Sequence, residues 1–504
     1  MALLPPVPPW SLLSLGLVMC LGTYFHYGFQ LMVLNPTQAV MEAFVNESFY
    51  RHYGYVLGNT EMANLWSFVL SLMTIGAGTS LILLPPIANN LGRKKGLYLC
   101  QLTFIVATFP TILAHPHYFF SFELFCFGRF LYGAAIGVSS GLVSMYLNEI
   151  SPSRFRGFMS CMTGAMVEVG FFVSSLMGLP AICGAEEQWA NLFAFAMLPT
   201  VLLVGALPWL PESPKFLVAQ GSYKEAREVM AAFEPQAELV EETMAEVMEE
   251  LEMQAQAPTF AQFLRNRQIR PAVIAGILIC SLVPLSGILA INFFTTGLIT
   301  EAGFSTQEAS TMNLVITFCS ILAGAAGMVM VEQFGRKPLL LGGNYAMLAL
   351  NILFLIIFNM NDSIKASGGS FPAAGYIFLV GSSLFMFSFS AGPGAIQWFI
   401  TSEMVPLQFR AHASSVALLF IYLVDFSSGF AFLPLYSLTG AWAFLFFIVP
   451  LSIINTALVF LLPETKKRPV PAILSELHRR NRCCGLREET RPLLTGSLLL
   501  AQYG

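Results

Sequence analysis

"NLGRKK" at residues 90–95 comes back as "QFGRKP" at 333–338. Each copy is a short polar island between two long apolar runs, and in each a glycine precedes an arginine and a lysine. Glycine lets a chain turn tightly, so each island reads as the hairpin between two apolar helices. Other signals repeat in the same order. Glu149 precedes Arg156 by seven positions, and Glu403 precedes Arg410 by seven. "PESPKFL" (211–217) has its counterpart in "PETKK" (463–467). Three matched pairs in one order predict an internal duplication. Arg93 and Arg336 would then reach the carboxylates Glu149 and Glu403 at neighbouring helix ends. Such pairs make a latch that holds while the inner ends of the halves are together and breaks when they part. Arg156, Glu212, Glu332 and Arg410 belong to the same set.

Composition says where this duplication lives. Hydrophobic residues fill 56% of 504 positions, only 11% are charged, and the mean hydropathy is +0.69. A soluble chain carries about 25% charged residues, so this one cannot dress a water-facing surface and must dissolve in a bilayer. Runs of roughly 20 apolar residues cross as helices. Twelve such runs are predicted, from 10–34 to 441–462. The first lacks a small-residue cleavage site and is too long for a signal peptide, so it is expected to stay as helix 1. Of the 25 lysines and arginines, 22 fall in the even-numbered connections and the C-terminal tail. The positive-inside rule then places both termini in the cytoplasm. The long loop after helix 1 lies outside, where Asn46-Glu47-Ser48 forms a glycosylation acceptor. A net charge of -4 carries no message about nucleic acid.

Between helices 6 and 7 the character changes. "EPQAELVEETMAEVMEELEMQ" (234–254) is acidic, with Leu239, Met244, Val247, Met248 and Leu251 at helical spacing. The predicted division is an N-terminal six-helix bundle (1–210), a cytoplasmic helical linker (211–271), a C-terminal six-helix bundle (272–465) and a cytoplasmic tail (466–504). Six of nine cysteines lie in apolar runs and act as small hydrophobes. Cys483 and Cys484 follow a basic stretch and are candidates for palmitoylation. "ETRPLL" (489–494), through Glu489, Leu493 and Leu494, has the form of the acidic dileucine signals that clathrin adaptors read.

"HYGFQLMVLNP", "FVNESFY", "GRKKG", "FELFCFGRFLYG", "MYLNEISPSRFRG", "PESPKFL", "VEQFGRKPLLLGG", "GPGAIQWF" and "PETK" span residues 22 to 470. In these motifs the chain resembles the sugar porters of the major facilitator superfamily, specifically the animal facilitative glucose transporters. The resemblance implies an all-α integral membrane protein of twelve transmembrane helices in the major facilitator fold. Its two pseudo-symmetric six-helix bundles would rock about a central site, exposing substrate to each side in turn. Trp398, Phe389 and Gly394 match the family's helix 10 contacts. Gln30 stands where uniporters of the family have asparagine and proton-coupled symporters have aspartate.

Two spans carry breakers at membrane depth. "VPLSGILAINFF" (283–294) holds Pro284, Gly287 and Asn292. A break is tolerated where backbone lines a cavity, and Pro284 frees a carbonyl one turn earlier. Helix 7 is thus expected to be a hinge and gate, with Asn292 either facing the aqueous path or bonded to a neighbouring helix. "SAGPGAIQWF" (390–399) repeats the device and adds Gln397 and Trp398. Amides match hydroxyls that both donate and accept, and flat rings stack on the C–H face of a sugar. Against the family pattern, Val283 and Pro284 replace two glutamines, Leu289 an asparagine, and Phe293 and Phe294 two tyrosines. Gly164 and Ser320 replace a glutamine and an asparagine in helices 5 and 8, and Tyr422 and Asp425 alter helix 11. A hydroxyl left dry costs about 1–3 kcal/mol. Losing three or four amides therefore costs more than about a hundredfold in affinity, which argues against ordinary glucose recognition.

Glu168 in helix 5 and Asp425 in helix 11 are acids inside spans, where they are expensive and usually face the interior. Each is either a proton or ligand site or a structural hydrogen bond. Glu123, near the outer end of helix 4, is interfacial, with Arg129 as its candidate partner. Nothing resembles a nucleotide loop, a metal site or a nucleophile–base pair, so neither an enzyme nor a cofactor is expected. The expected function is facilitative uniport of a small polar solute, a hexose such as glucose or fructose, at the plasma membrane or in endosomes. A proton-coupled or organic-solute transporter and a non-transporting solute sensor are the alternatives. Asn46→Gln should remove the part of the glycosidase mobility shift due to this site on chain made in glycosylating cells; no shift on the wild-type chain would count against the outside placement.

Overall fold

The computed structural model describes residues 9–152, 154–234, 236–255, 259–369, 371–466, 468 and 470–483. The apolar runs all fold as helix, and no strand occurs among the described residues. Ten helices there are long and apolar enough to cross a membrane, or eleven when the bent pair Arg270–Leu282 and Pro284–Glu301 is taken as one span. The longest apolar stretch, Gln408–Leu461, contains two helices, Leu407–Thr439 and Leu445–Leu461, joined through a 3₁₀ turn that starts at Gly440. Large side chains such as Leu102, Phe109, Leu202 and Ile356 stay exposed on outer helix faces. Hydrocarbon, not water, is the solvent those faces fit.

Small residues let the helices close on each other. Gly133 in Phe122–Ile150 lies directly on the backbone of Met73 in Asn59–Ser80, where a Cβ would sit 2.0 Å from the Met73 carbonyl oxygen. Close backbone approach through small residues is how helices associate without a hydrophobic drive. Helices before residue 211 meet those after 271 along two seams. Asn59–Ser80 packs on Leu407–Thr439, and Arg156–Met177 packs on Thr306–Phe334.

The seventh span breaks where the sequence predicts. Helix Arg270–Leu282 stops, Pro284–Ser286 winds as a single 3₁₀ turn, and Ile288–Glu301 resumes at an angle of 42°. Gly287 supplies the bend at φ +94. The polar groups released by the break find partners. The Asn351 amide Nδ2 donates to the Ser286 carbonyl at 2.8 Å, and Ser286 Oγ donates to the Val283 carbonyl at 2.6 Å. The tenth span breaks likewise at Gly392, between Ala373–Ala391 and Pro393–Ile396.

The duplicated islands build the same network twice. Gly92 and Gly335 take φ +84 and +93. Arg93 Nη2 donates to Glu149 at 2.6 Å, and Arg336 Nη2 donates to Glu403 at 3.0 Å. Glu212 accepts the backbone N–H groups of Arg93 and Lys94, and Glu464 accepts those of Arg336 and Lys337. These are the orphan donors at a helix N-terminus, where a carboxylate is favoured. Ser213 Oγ donates to Glu149, and Thr465 Oγ donates to Glu403. Both arginine pairs close within one half of the chain.

Two regions depart from expectation. The segment after the first span is a helix, Gln38–Tyr53, because Met41, Phe44, Val45 and Ser48 share one buried face. The linker holds four helices, Pro214–Ala219, Tyr223–Phe233, Ala237–Ala255 and Phe260–Arg265. Its buried stripe runs through Val240, Met244 and Val247, which close a separate small core with Leu217, Val218, Ala226 and Met230. Met248 is exposed and Leu239 only half-buried.

Gly287→Ala should cost about 1–2 kcal/mol, the penalty of a left-handed backbone for a residue with a Cβ, read by thermal unfolding in detergent. Gly205→Ala, in open space at an ordinary helical position, should be neutral. For Glu464, burial raises the pKa, but N–H bonds from Lys466, Arg336, Lys337 and Thr465 outweigh it and hold the carboxyl below its ordinary value. Its stabilisation is therefore present above the unfolded value of about 4.3 and is lost as pH falls through the folded one. Glu464→Gln should lower stability at neutral pH and flatten the acid limb of the stability profile; an unchanged acid limb would refute this.

Candidate functional site

The seam between the halves is polar at mid-span. Glu168, on Arg156–Met177, is only 6% exposed, and Ser390 on Ala373–Ala391 donates to its Oε1 at 2.6 Å. Ser320 on Thr306–Phe334, whose Oγ donates to the Thr317 carbonyl at 2.7 Å, lies near the same carboxylate. Gly324, one turn further on, faces it too: a Cβ there would meet Glu168 Cγ at 3.4 Å. Glu168 Oε2 has no partner. Gly164, one turn earlier on the same helix face, opens onto empty space. An acceptor from one half thus takes a hydroxyl from the other, one turn from the exposed Gly164.

The far end, away from Arg93 and Arg336, is closed by one asparagine. Asn35 Nδ2 donates to the Asn292 carbonyl at 2.7 Å, and Asn35 Oδ1 accepts from the Thr296 N–H at 2.9 Å. Its amide therefore occupies a rung of the Ile288–Glu301 helix from across the seam. Ser310 Oγ to the Pro36 carbonyl and Asn313 Nδ2 to Ser175 Oγ add two more ties. Among the described residues, the hydrogen bonds joining the halves lie at this end or at mid-span, and none lies at the basic end.

The substrate-binding candidates fall into different surroundings. Asn292 is 2% exposed with Oδ1 unpartnered, Phe293 and Phe294 are buried, and Phe294 packs on Phe432. Gln397 is buried with Oε1 unpartnered, and Trp398 is 39% exposed. Phe389 and Gly394 come together: a Cβ on Gly394 would strike the Phe389 ring at 2.8 Å. Tyr422 is in hydrogen-bond range of Ser140, and Asp425 is buried near Tyr422 and Tyr27. Gln30 is fully buried and works within its own half, where its Oε1 and carbonyl accept from Arg129 Nη1 at 3.1 and 2.8 Å. Glu123 does not meet Arg129; it lies 3.0 Å from His52. A buried guanidinium needs acceptors wherever it sits, and Gln30 supplies them.

Of the remaining gating candidates, Arg156 donates to the Ser151 carbonyl at 3.3 Å and Arg410 is exposed, so neither joins the carboxylate seven positions before it. The Glu332 side chain lies outside the described residues, as do Cys483 as a side chain, Cys484, Glu489, Leu493 and Leu494. Asn46 is exposed on its helix, while Ser48 Oγ donates to the Phe120 carbonyl and accepts from the Phe122 N–H. Sequence reasoning missed Asn35, Ser390, Asn351 and Glu464. Asn35 sits inside the quoted "VLNP", Glu464 inside "PETK" and Ser390 at the head of "SAGPGAIQWF", so the motifs held all three; Asn351 carries no sequence signal.

The profile of the sugar (and other) transporter family matches residues 15–476. Solute carrier family 2, facilitated glucose transporter member 9 of Homo sapiens is 30% identical over 477 residues, covering 94% of this chain and 86% of that one. Member 4 of the same species is 28% identical over 465 residues, covering 90% and 88%. Among solved structures, the inward-open conformation of the xylose transporter XylE from E. coli superposes with a TM-score of 0.75 at 17% identity, covering 93% of this chain and 99% of that one. The fold is therefore the major facilitator fold, and the protein is a multi-pass membrane transporter, not an enzyme. With its profile matched over nearly its whole length and its motifs folded into paired networks, the chain belongs to the sugar (and other) transporter family.

Proposed function

We propose that the protein carries a small polyhydroxylated solute, a hexose such as glucose or fructose, down its gradient by alternating access. The carrying observation is the Ser390–Glu168 hydrogen bond across the halves, with Glu168 Oε2 left unpartnered one turn from the exposed Gly164. A hydroxyl-bearing solute offers the donor which that oxygen lacks. Interhelical hydrogen bonds in membranes average about 0.6 kcal/mol, so such a tie is weak enough to break in every cycle. Two relatives are named as facilitated glucose transporters and one fold neighbour as a xylose transporter, which favours a sugar.

The proposed architecture has twelve spans, Leu407–Thr439 and Leu445–Leu461 counting as two, in bundles 1–210 and 272–465 around linker 211–271. The charge distribution supports cytoplasmic termini, with tail 466–504 inside and Asn46 outside and glycosylated. With the far end tied through Asn35 and Trp398 exposed, the described state is read as open to the cytoplasm. Closing that side would bring the two arginine–carboxylate networks together. Plasma membrane is the proposed residence, with Glu489, Leu493 and Leu494 as the adaptor signal for retrieval. The second reading, proton coupling, is favoured by one observation: neither Glu168 nor Asp425 forms an ion pair among the described residues.

Counterflow in proteoliposomes, run against a panel of sugars, polyols and organic anions, tests the proposal. Hexose counterflow without a pH gradient is expected, and Ser390→Ala should slow it severalfold. A gradient-driven overshoot abolished by Asp425→Asn would establish the second reading instead. Binding without counterflow of any solute would leave only a sensor.

A further inference from the structure

A cavity of about 250 Å³ lies at the far end, between Gln38–Tyr53 of the first half and Ile288–Glu301 and Leu407–Thr439 of the second. Two carboxylates from opposite halves, Glu42 and Glu301, line it. Each already has one donor: Gln38 Nε2 gives to Glu42 Oε1 at 2.7 Å, and Tyr436 Oη gives to Glu301 Oε2 at 2.7 Å. Two further polar atoms in the lining are buried without a partner: Gln38 Oε1, an acceptor, and the Oγ1 of Thr296, a hydroxyl that both donates and accepts, on a residue 3% exposed. Phe294, Leu298 and Leu433 form apolar walls.

The lining thus offers carboxylate and amide acceptors and one free hydroxyl, with a greasy side. A cation is a poorer match than its two acids imply. The Lys365 ammonium already donates to the Glu301 carbonyl. Burial pushes the Glu42 carboxyl up, against the Gln38 bond that pulls it down. Among the described residues no group of His, Cys, Asp and Glu is placed to hold a metal ion. What the acceptors still lack is neutral hydroxyl donors. At about 250 Å³ it lies at the small end for ligand pockets, which run from about 300 Å³ upward, so it has room for one monosaccharide and not for a disaccharide.

We propose that this far-end cavity is a second polyol site, which holds a hydroxyl-rich solute between Glu42 and Glu301 before the halves part and the central seam opens to it. The inference rests on the transporter reading above and adds a staging step on one side only. The full chain in detergent, titrated calorimetrically with fructose and with glucose, should show two sites for the sugar it accepts, and Glu42→Ala/Glu301→Ala should show one. In proteoliposomes the same substitutions should raise the KM for flux from the far end, relative to the KM for flux from the basic end, by about fivefold or more. Thr296→Val, nearly the same shape, should move the ratio in the same direction if the alanine variants fold poorly. One site in both proteins, an unchanged KM ratio, or displacement by an organic ammonium but not by a polyol would overturn the proposal. If wild-type chain binds two sugars yet shows no flux, the transport reading fails while the cavity stands.

Discussion

Hydrocarbon offers no water to a backbone N–H or C=O, and every device in this fold answers that constraint. An unbroken helix satisfies itself. A helix broken at Pro284 and Gly287 does not, and the Asn351 amide takes the carbonyl that the break exposes. Helix starts at Gly92 and Gly335 present orphan N–H groups, and the carboxylates of Glu212 and Glu464 take those. Asn35 goes further, filling a rung of a helix in the opposite half. The Thr296 N–H and the Asn292 carbonyl lie four positions apart in one helix, so they are also partners for each other when Asn35 withdraws.

The site follows the same economy. An acid without a counter-ion is costly in a span, yet Glu168 is held by the Ser390 hydroxyl reaching over from the other half. Hydroxyl ties are individually weak, and weak ties across a seam suit bodies that must part. Strong ion pairs are kept elsewhere: Arg93–Glu149 and Arg336–Glu403 each close inside one half. Rigidity is placed within each half of the chain and softness between them.

Much of this was legible beforehand. The duplicated islands, the seven-residue spacing and the two proline–glycine breaks are local patterns, and local patterns survive in sequence. The helix Gln38–Tyr53 was read as loop because a long connection between spans was taken as irregular, although Met41, Phe44, Val45 and Ser48 already had helical spacing. Gln30 and Asn292 look alike in sequence as solute contacts; a sequence cannot show that a guanidinium three spans further along the chain claims one of them. Ser390 and Asn351 are ordinary residues whose roles exist only through partners distant in sequence.

The separate core of the linker has a mechanical meaning. Glu212 is bound to the turn at Arg93, Tyr146 Oη donates to the Pro211 carbonyl, and Arg154 pairs with Glu234. Those moorings belong to the first half, but Phe263 packs on Phe409 and His412 of Leu407–Thr439 in the second. The segment is therefore strapped across the seam, held by its leading helices to one side and by its last helix to the other. A protein gripping it would load both sides at once, turning a surface handle into a brake on their relative tilt.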